Sequence, residues 1–86
     1  MGLYTVLFHH SAHKDLAVLP AIVVKRIMQK IKNLASNPRP NGCLKLKGEI
    51  NLYRIRDGDY RVVYTIIDKE MTVKIVGVKH RKDAYE

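Results

Sequence analysis

Cysteine, proline and tryptophan are scarce in this chain, with one Cys, three Pro and no Trp among 86 residues. The single cysteine, Cys43, excludes an internal disulfide and is typical of a reducing compartment. No segment approaches the roughly 18 apolar residues of a membrane-spanning helix. The N-terminus, MGLYTVLFHH, also lacks the charged region that opens a secretory signal. We therefore expect a soluble cytoplasmic protein with no membrane attachment.

Acidic residues are scarce as well. The chain has 16 Lys and Arg against 8 Asp and Glu, which gives a formal net charge of +8. Such an imbalance adds self-repulsion and favours an anionic partner: nucleic acid, an anionic membrane surface or an acidic protein. Hydrophobic residues make up 47% of the chain, and the length suits a single ordered domain over residues 1–86.

The first half of the chain reads as one strand and two helices. Residues 3–8 are β-branched and aromatic, which predicts a strand. Ser11 is expected to cap a short helix that ends before Pro20. A longer amphipathic helix follows, and the segment NPRPNG, residues 37–42, ends it. Its predicted apolar side consists of Val23, Val24, Ile27, Met28, Ile31, Leu34 and Ala35.

From Leu44 onward the hydrophobic period changes toward two, which predicts strands near 45–48, 52–56, 60–67 and 72–79. The fold class that follows is α+β: an N-terminal strand, two helices, then an antiparallel sheet with the helices packed on one face.

The stretch YRIRDGDYRVVY, residues 53–64, predicts a hairpin that turns at Asp57-Gly58. A two-residue turn would pair Arg54 with Arg61, whereas a four-residue loop would pair Arg56 with Arg61. Both loops have even length, so in both registers the three arginines project from one face of the sheet. The opposite, apolar face would carry Tyr53, Ile55, Tyr60, Val62, Tyr64 and Ile66.

Like charges facing each other across strands are unfavourable, so an anionic ligand on the arginine face is a natural hypothesis. The alternative is a solvated cationic face, partly neutralised by Asp59. The sorting of charge favours a basic surface, because the predicted hairpin tips hold the acids and the strand bodies hold the cations. Those cations are Lys45, Lys47, Arg54, Arg56, Arg61, Lys74 and Lys79.

Two segments that contain histidine are candidates for a catalytic or metal-binding site. The C-terminal KHRKDAYE places His80, Arg81 and Tyr85 close together, and these side chains suit phosphodiester cleavage, with arginine binding phosphate and His or Tyr moving protons. The HHxxH spacing at residues 9–13 has no nearby cysteine or suitably spaced carboxylate, so we expect no metal site there. No cofactor is expected.

Taken together, these motifs resemble the RelE-type toxins of the RelE/ParE toxin–antitoxin superfamily. The resemblance lies in LASNPRPNGCLKLKG, YRIRDGDYRVVY and VGVKHRKDAY, and it runs over nearly the whole chain. It implies a compact α+β fold and ribosome-dependent, metal-independent cleavage of mRNA by attack of a 2′-hydroxyl on the neighbouring phosphodiester. A ParE-like toxin that inhibits DNA gyrase without cutting RNA is the alternative, since fold alone does not choose.

The resemblance also implies roles for residues. Arg61 and Arg81 match arginines that stabilise the reacting phosphate, and Tyr85 stands near the family's C-terminal tyrosine. His80 is a second proton-transfer candidate because imidazole titrates near neutrality, whereas arginine is hard to deprotonate. The phosphate-binding residues expected around them are Arg54, Arg56, Lys45, Lys47 and Lys79.

The partners implied are a cognate acidic antitoxin of the RelB kind, the ribosome and mRNA. Operator DNA would be bound only as a toxin–antitoxin complex. Val63, Val76 or Val78, if exposed on the basic face, would suit a partly disordered antitoxin that folds on binding.

Overall fold

The computed structural model describes residues 2–48 and 50–81. The elements are β1 (Thr5–Phe8), α1 (His10–Ala17), α2 (Ala21–Asn33), β2 (Leu44–Lys45), β3 (Leu52–Asp57), β4 (Tyr60–Ile67), a single 3₁₀ turn (Asp68–Glu70) and β5 (Thr72–His80). They form one five-stranded sheet in the order β1-β5-β4-β3-β2. The predicted α+β class is confirmed, although β1 pairs with β5 in parallel and only the other pairs are antiparallel. Neither helix of the described residues is long and apolar enough to span a membrane.

The start of α1 differs from the prediction. His9, not Ser11, is the N-cap, and its Nδ1 accepts a hydrogen bond from the backbone N–H of Ser11 at 3.2 Å. The Ser11 hydroxyl instead donates to the carbonyl of Val76 in β5 at 2.6 Å. The cap prediction was wrong because the hydroxyl has a tertiary partner that local sequence does not reveal.

Helix α2 covers one face of the sheet. Four of its predicted apolar residues are buried, and they recur three or four positions apart, which is the spacing of one helix face: Val23, Ile27, Ile31 and Leu34. They pack against the buried side chains of β3, β4 and β5, namely Tyr53, Ile55, Val62, Tyr64, Ile66, Val73, Ile75 and Val78. Burial of each large aliphatic side chain stabilises the fold by about 1.5–3 kcal/mol. Val78 therefore belongs to the core and is not available on the basic face. Met28, predicted on the apolar side of α2, is exposed.

The loop after α2 is fixed to the sheet by polar contacts around Arg39. Its guanidinium donates to Asp68 Oδ2 at 2.9 Å and lies over the ring of Tyr53, 5.3 Å from the centroid. The Tyr4 hydroxyl donates to the same carboxylate at 2.6 Å. Hydrogen bonds from Arg39 and Tyr4 hold the pKa of Asp68 below its usual value. This network joins the loop, β1 and the turn before β5.

We expect Asp68→Asn to lower the Tm by a few degrees at pH 7. The pKa of Asp68 is lower in the folded protein than in the unfolded chain. Its contribution to the free energy of unfolding is therefore complete above the pKa of the unfolded chain and is lost as the pH falls through the pKa of the folded protein. The Tm difference from wild type should therefore shrink to nothing in strong acid. Thermal unfolding followed by circular dichroism against pH measures this, with Glu70→Gln as control. A difference that is constant across pH would contradict the assignment.

Candidate phosphate-binding site

The hairpin between β3 and β4 sets the geometry of the site. Asp57 pairs with Tyr60 and Arg56 pairs with Arg61, so the tip is Gly58-Asp59. Gly58 has φ of 60°, a left-handed conformation that glycine adopts without steric cost. The pairing of Arg56 with Arg61, one of the two alternatives from the sequence, is therefore correct. The predicted turn at Asp57-Gly58 was wrong, because the turn lies one residue later; a two-residue tip, and not a four-residue loop, produces this pairing.

The arginines and the core residues of this hairpin lie on opposite faces. Arg54 pairs with Val63 and shares its side of the sheet with Arg56 and Arg61. The alternating residues on both strands are buried under α2, as Ile55 and Val62 illustrate at 6% and 0% exposure. The predicted projection of all three arginines away from the helix is confirmed. We call this side of the sheet the open face.

Helix α2 holds the hairpin from behind. Arg26 Nε lies 3.1 Å from Asp57 Oδ2, and Lys30 Nζ donates to the carbonyl of Arg56 at 2.7 Å. The Asp57 side chain is only 13% exposed, so this ion pair is better shielded than an ordinary surface pair. These contacts fix the backbone that carries Arg56.

The end of β5 brings a further cation to the hairpin tip. The backbone N–H of Arg81 donates to the carbonyl of Asp59 at 2.7 Å. Its Nε also lies 3.8 Å from Asp59 Oδ1. Residues more than twenty positions apart in sequence are thus joined at the tip.

These elements enclose a small cavity of about 120 Å³ lined by Arg56, Gly58, Asp59, Arg61 and Arg81. The Nε and Nη1 atoms of Arg61 are shielded from solvent. Planar guanidinium groups donate in pairs to phosphate oxygens, and shielding from water strengthens such charge-assisted bonds. Three arginines around one cavity therefore suit a phosphate group. The fold and the site together describe a small basic α+β protein with a cluster of arginines on the open face of its sheet.

Lys79 and His80 on β5, both predicted to belong to the site, lie on opposite faces of the sheet. Lys79 lies directly opposite Arg61 in the β4–β5 register, on the open face. His80 lies opposite Tyr60, and the two rings meet edge to face with centroids 5.2 Å apart. Because Tyr60 alternates with Arg61, His80 faces the helix side and does not line the cavity. This placement does not support His80 as the proton-transfer group.

The predicted cations before β3 are not brought to the cavity. Lys45 pairs with Tyr53, which puts it on the helix side, and Lys47 lies beyond the end of β2. Lys45 lies on a strand as predicted, but the strand predicted near 45–48 ends at Lys45, so the prediction that Lys47 lies on it was wrong. Arg54 is on the open face, two residues from Arg56, without lining the cavity. Tyr85 lies outside the described residues.

Sequence reasoning treated Asp59 only as a tip residue that neutralises charge. The structure places Asp59 among the residues that line the cavity, with its Oδ1 3.8 Å from Arg81 Nε. The signal available in the sequence was its position at the hairpin tip, immediately before Tyr60 and Arg61. That reading depends on the hairpin register, which sequence left open.

Comparisons with known proteins agree with this architecture. Residues 6–85 match the family model described as the ParE toxin of the type II toxin–antitoxin system parDE. The chain is 31% identical over 86 residues to the putative toxin RelE1 of Methanocaldococcus jannaschii, covering 96% of each protein. It is 30% identical over 86 residues to the mRNA interferase toxin RelE of Escherichia coli (strain K12), covering 95% of this chain and 90% of that one.

Among solved structures, the toxin–antitoxin complex RelBE2 from Mycobacterium tuberculosis aligns with a TM-score of 0.82 and 33% identity. The alignment covers 96% of this chain and 97% of that one. The chain therefore belongs to the RelE/ParE superfamily of type II toxins, and its curated relatives over nearly full length are RelE-type toxins.

If the cavity binds a backbone phosphate, Arg61→Gln should weaken binding of a single-stranded RNA about tenfold, the scale of a lost charge-assisted contact. The slope of log K against log salt should also become shallower by about 0.7, the value for one phosphate contact on a single strand. Fluorescence anisotropy with a 2′-O-methyl oligonucleotide measures both quantities without cleavage. Lys25→Gln is the charge-matched control, because Lys25 lies on the exposed side of α2. Equal effects of the two variants would argue for a diffuse basic surface.

Proposed function

We propose that this type II toxin is an endoribonuclease that cuts mRNA on the translating ribosome, without a metal ion. The observation that carries the proposal is the meeting of Arg56, Arg61 and Arg81 around one phosphate-sized cavity on the open face. The relative from Escherichia coli, described as an mRNA interferase toxin, supports the same reaction class. Ribosome dependence is supported by the family resemblance of the sequence.

In the proposed reaction the 2′-oxygen of one nucleotide attacks the adjacent phosphorus, and the bond from phosphorus to the 5′-oxygen breaks. Negative charge grows on the non-bridging oxygens as the fifth bond forms. Guanidinium groups already held in place stabilise that charge without reorganisation, and this is commonly the largest contribution to catalysis. Arg61 and Arg81 take this role, and Arg56 holds the phosphate from the neighbouring strand.

Proton transfer needs a group other than arginine, because a guanidinium does not give up its proton in a protein. The 2′-hydroxyl must lose a proton and the leaving 5′-oxygen must gain one. Asp59 is among the residues that line the cavity, and carboxylates serve as general bases in proton transfer. We propose Asp59 as a candidate proton-transfer group beside Tyr85, whose role stays a prediction from the resemblance. His80 is a weaker candidate than either because it faces the helix side of the sheet, away from the cavity.

We also propose a cognate RelB-like antitoxin as the partner of this toxin. The matching Mycobacterium tuberculosis structure is a toxin–antitoxin complex. The net charge of +8 gives an acidic antitoxin a favourable electrostatic partner. An antitoxin seated over the arginines would block the phosphate cavity.

Primer extension on a reporter mRNA in a translating extract tests the cleavage. The intact protein should produce cuts at codon-defined positions. Arg61→Ala and Arg81→Ala should each reduce the initial rate at least about a hundredfold, the usual effect of removing one transition-state donor. Lys25→Ala should cut like wild type.

A gyrase supercoiling assay belongs in the same experiment, because the matching family model is that of ParE toxins. Inhibited supercoiling together with an absence of cuts would replace the ribonuclease proposal with gyrase inhibition. Cuts that persist in both arginine variants would remove the cavity from the mechanism while leaving the activity.

A further inference from the structure

A second cavity lies beside α2, at the edge of β3. Its volume is about 440 Å³, within the range of about 300–1,000 Å³ that is usual for ligand sites. It is lined by Lys30 and Asn33 from α2, by residues 40–42 from the turn before β2, and by Ile55 and Arg56 from β3. We call it the edge cavity. The NPRPNG segment, predicted only to end α2, thus also forms one of its walls.

The edge cavity exists because the pairing of β2 with β3 stops at Arg54. In the same register Gly42 would lie opposite Arg56, but the chain turns away first. The Cys43 N–H donates to the Pro40 carbonyl at 3.0 Å, and Gly42 has φ of 89°, a left-handed conformation that favours glycine. The space between this turn, the end of β3 and α2 is therefore left open.

Two parts of the lining are held in place by the rest of the fold. Ile55 is 6% exposed, so the cavity has an apolar floor that belongs to the core. Lys30 Nζ donates to the Arg56 carbonyl at 2.7 Å and lies 3.8 Å from Asp57 Oδ1. A ligand would therefore meet a largely preformed site, which lowers the entropy cost of binding.

The uncharged polar side chains of the lining are two carboxamides. Asn33 and Asn41 are both exposed, one on the helix wall and one on the turn wall. Each amide offers a donor and an acceptor, the combination that matches the hydrogen-bonding edges of nucleobases. Among the described residues the lining also holds two cations, Lys30 and Arg56, and no carboxylate. This chemistry suits a planar heterocycle on an anionic backbone, which is an unpaired nucleotide.

Arg56 joins the edge cavity to the cavity it lines together with Arg61 and Arg81, the arginine cavity. Its side chain projects from the open face, whereas its carbonyl points to the edge of β3 and accepts from Lys30. Beyond Arg54, no strand of the described residues covers that edge. The two cavities thus adjoin at a single residue, and one RNA strand can follow the surface from one to the other.

We propose that the edge cavity binds an unpaired base of the RNA whose phosphate lies in the arginine cavity. Asn33 and Asn41 hydrogen-bond the edge of the base, and its ring packs on Ile55. The inference rests on the proposed function, which identifies the RNA as mRNA. It deepens that function, because phosphate contacts carry no direct sequence information and a base site would supply it.

Titration with a 2′-O-methyl trinucleotide, followed by nuclear magnetic resonance, tests the base site without cleavage. The full trinucleotide is compared with three forms that each lack one base. At least one abasic form should bind about tenfold more weakly, the scale of one base contact. A double variant, Asn33→Ala with Asn41→Ala, should lose about as much affinity for the full trinucleotide. Removing the same base should then cost this variant less than about twofold, because both changes remove one interaction.

Gln29→Ala is the matched control, because Gln29 is an exposed amide on α2 that does not line the edge cavity. It should retain both the wild-type affinity and the wild-type loss on removal of the base. The amide spectrum of each variant shows whether it is folded. An abasic penalty that is unchanged in the double variant would overturn the inference, as would equal affinity for all four trinucleotides.

The methyl groups of Ile55 report on the contact in the wild-type protein. A base ring packed on this side chain should shift the Ile55 Cδ1 methyl resonance through its ring current. The shift should be absent at saturation with the abasic form that binds weakly. Ile22, 64% exposed near the start of α2, is the internal control and should not move. An unmoved Ile55 methyl at saturation with the full trinucleotide would overturn the inference.

Failure of this inference and failure of the proposed function give different results. Cuts in the translating extract without coupling between the base and the asparagines would keep the ribonuclease and remove the base site. Coupling without cuts would remove the reaction and keep the base site as part of an RNA-binding surface.

Discussion

The alternation of side chains along β4 is the constraint on which the site depends. This strand lies between β3 and β5, buries Val62, Tyr64 and Ile66 against the helix, and turns Arg61 to the opposite side. A one-residue slip would expose the core residues and bury the arginine, so the hydrophobic core itself enforces the direction of Arg61. The placement of the arginines on the open face is in this sense a consequence of how the core is packed.

The arrangement has an electrostatic cost. Arg56 and Arg61 face each other across the hairpin, and like charges in such pairs are destabilising. Part of the cost is offset behind the sheet, where Asp57 meets Arg26, and part at the tip, where Asp59 meets Arg81. Arg54, Arg56, Arg61 and Lys79 share the open face, and this group of cations suits a phosphate backbone. An anionic substrate would relieve the repulsion as it binds.

Sequence alone could predict which side chains share a face, because strand parity does not depend on the length of an even loop. It could not choose between pairing Arg61 with Arg54 and pairing it with Arg56, since the position of the tip decides the register, and the tip lies at Gly58-Asp59 and not at Asp57-Gly58. Lys47 was misplaced because β2 ends after two residues, whereas Lys45 lies on that strand but on the helix side, opposite Tyr53. The hydrogen bonds of Ser11 and Asp15 to β5 join residues more than sixty positions apart, and no local pattern signals such contacts.

The central claim is that the arginine cavity holds the phosphate at which the RNA is cut. The most direct measurement is a cryo-electron microscopy structure of the protein on a ribosome programmed with mRNA carrying a 2′-deoxynucleotide at the cleavage position. The account predicts that this phosphate lies between the guanidinium groups of Arg56, Arg61 and Arg81. A phosphate bound on the helix side, or an open face turned away from the mRNA, would contradict it.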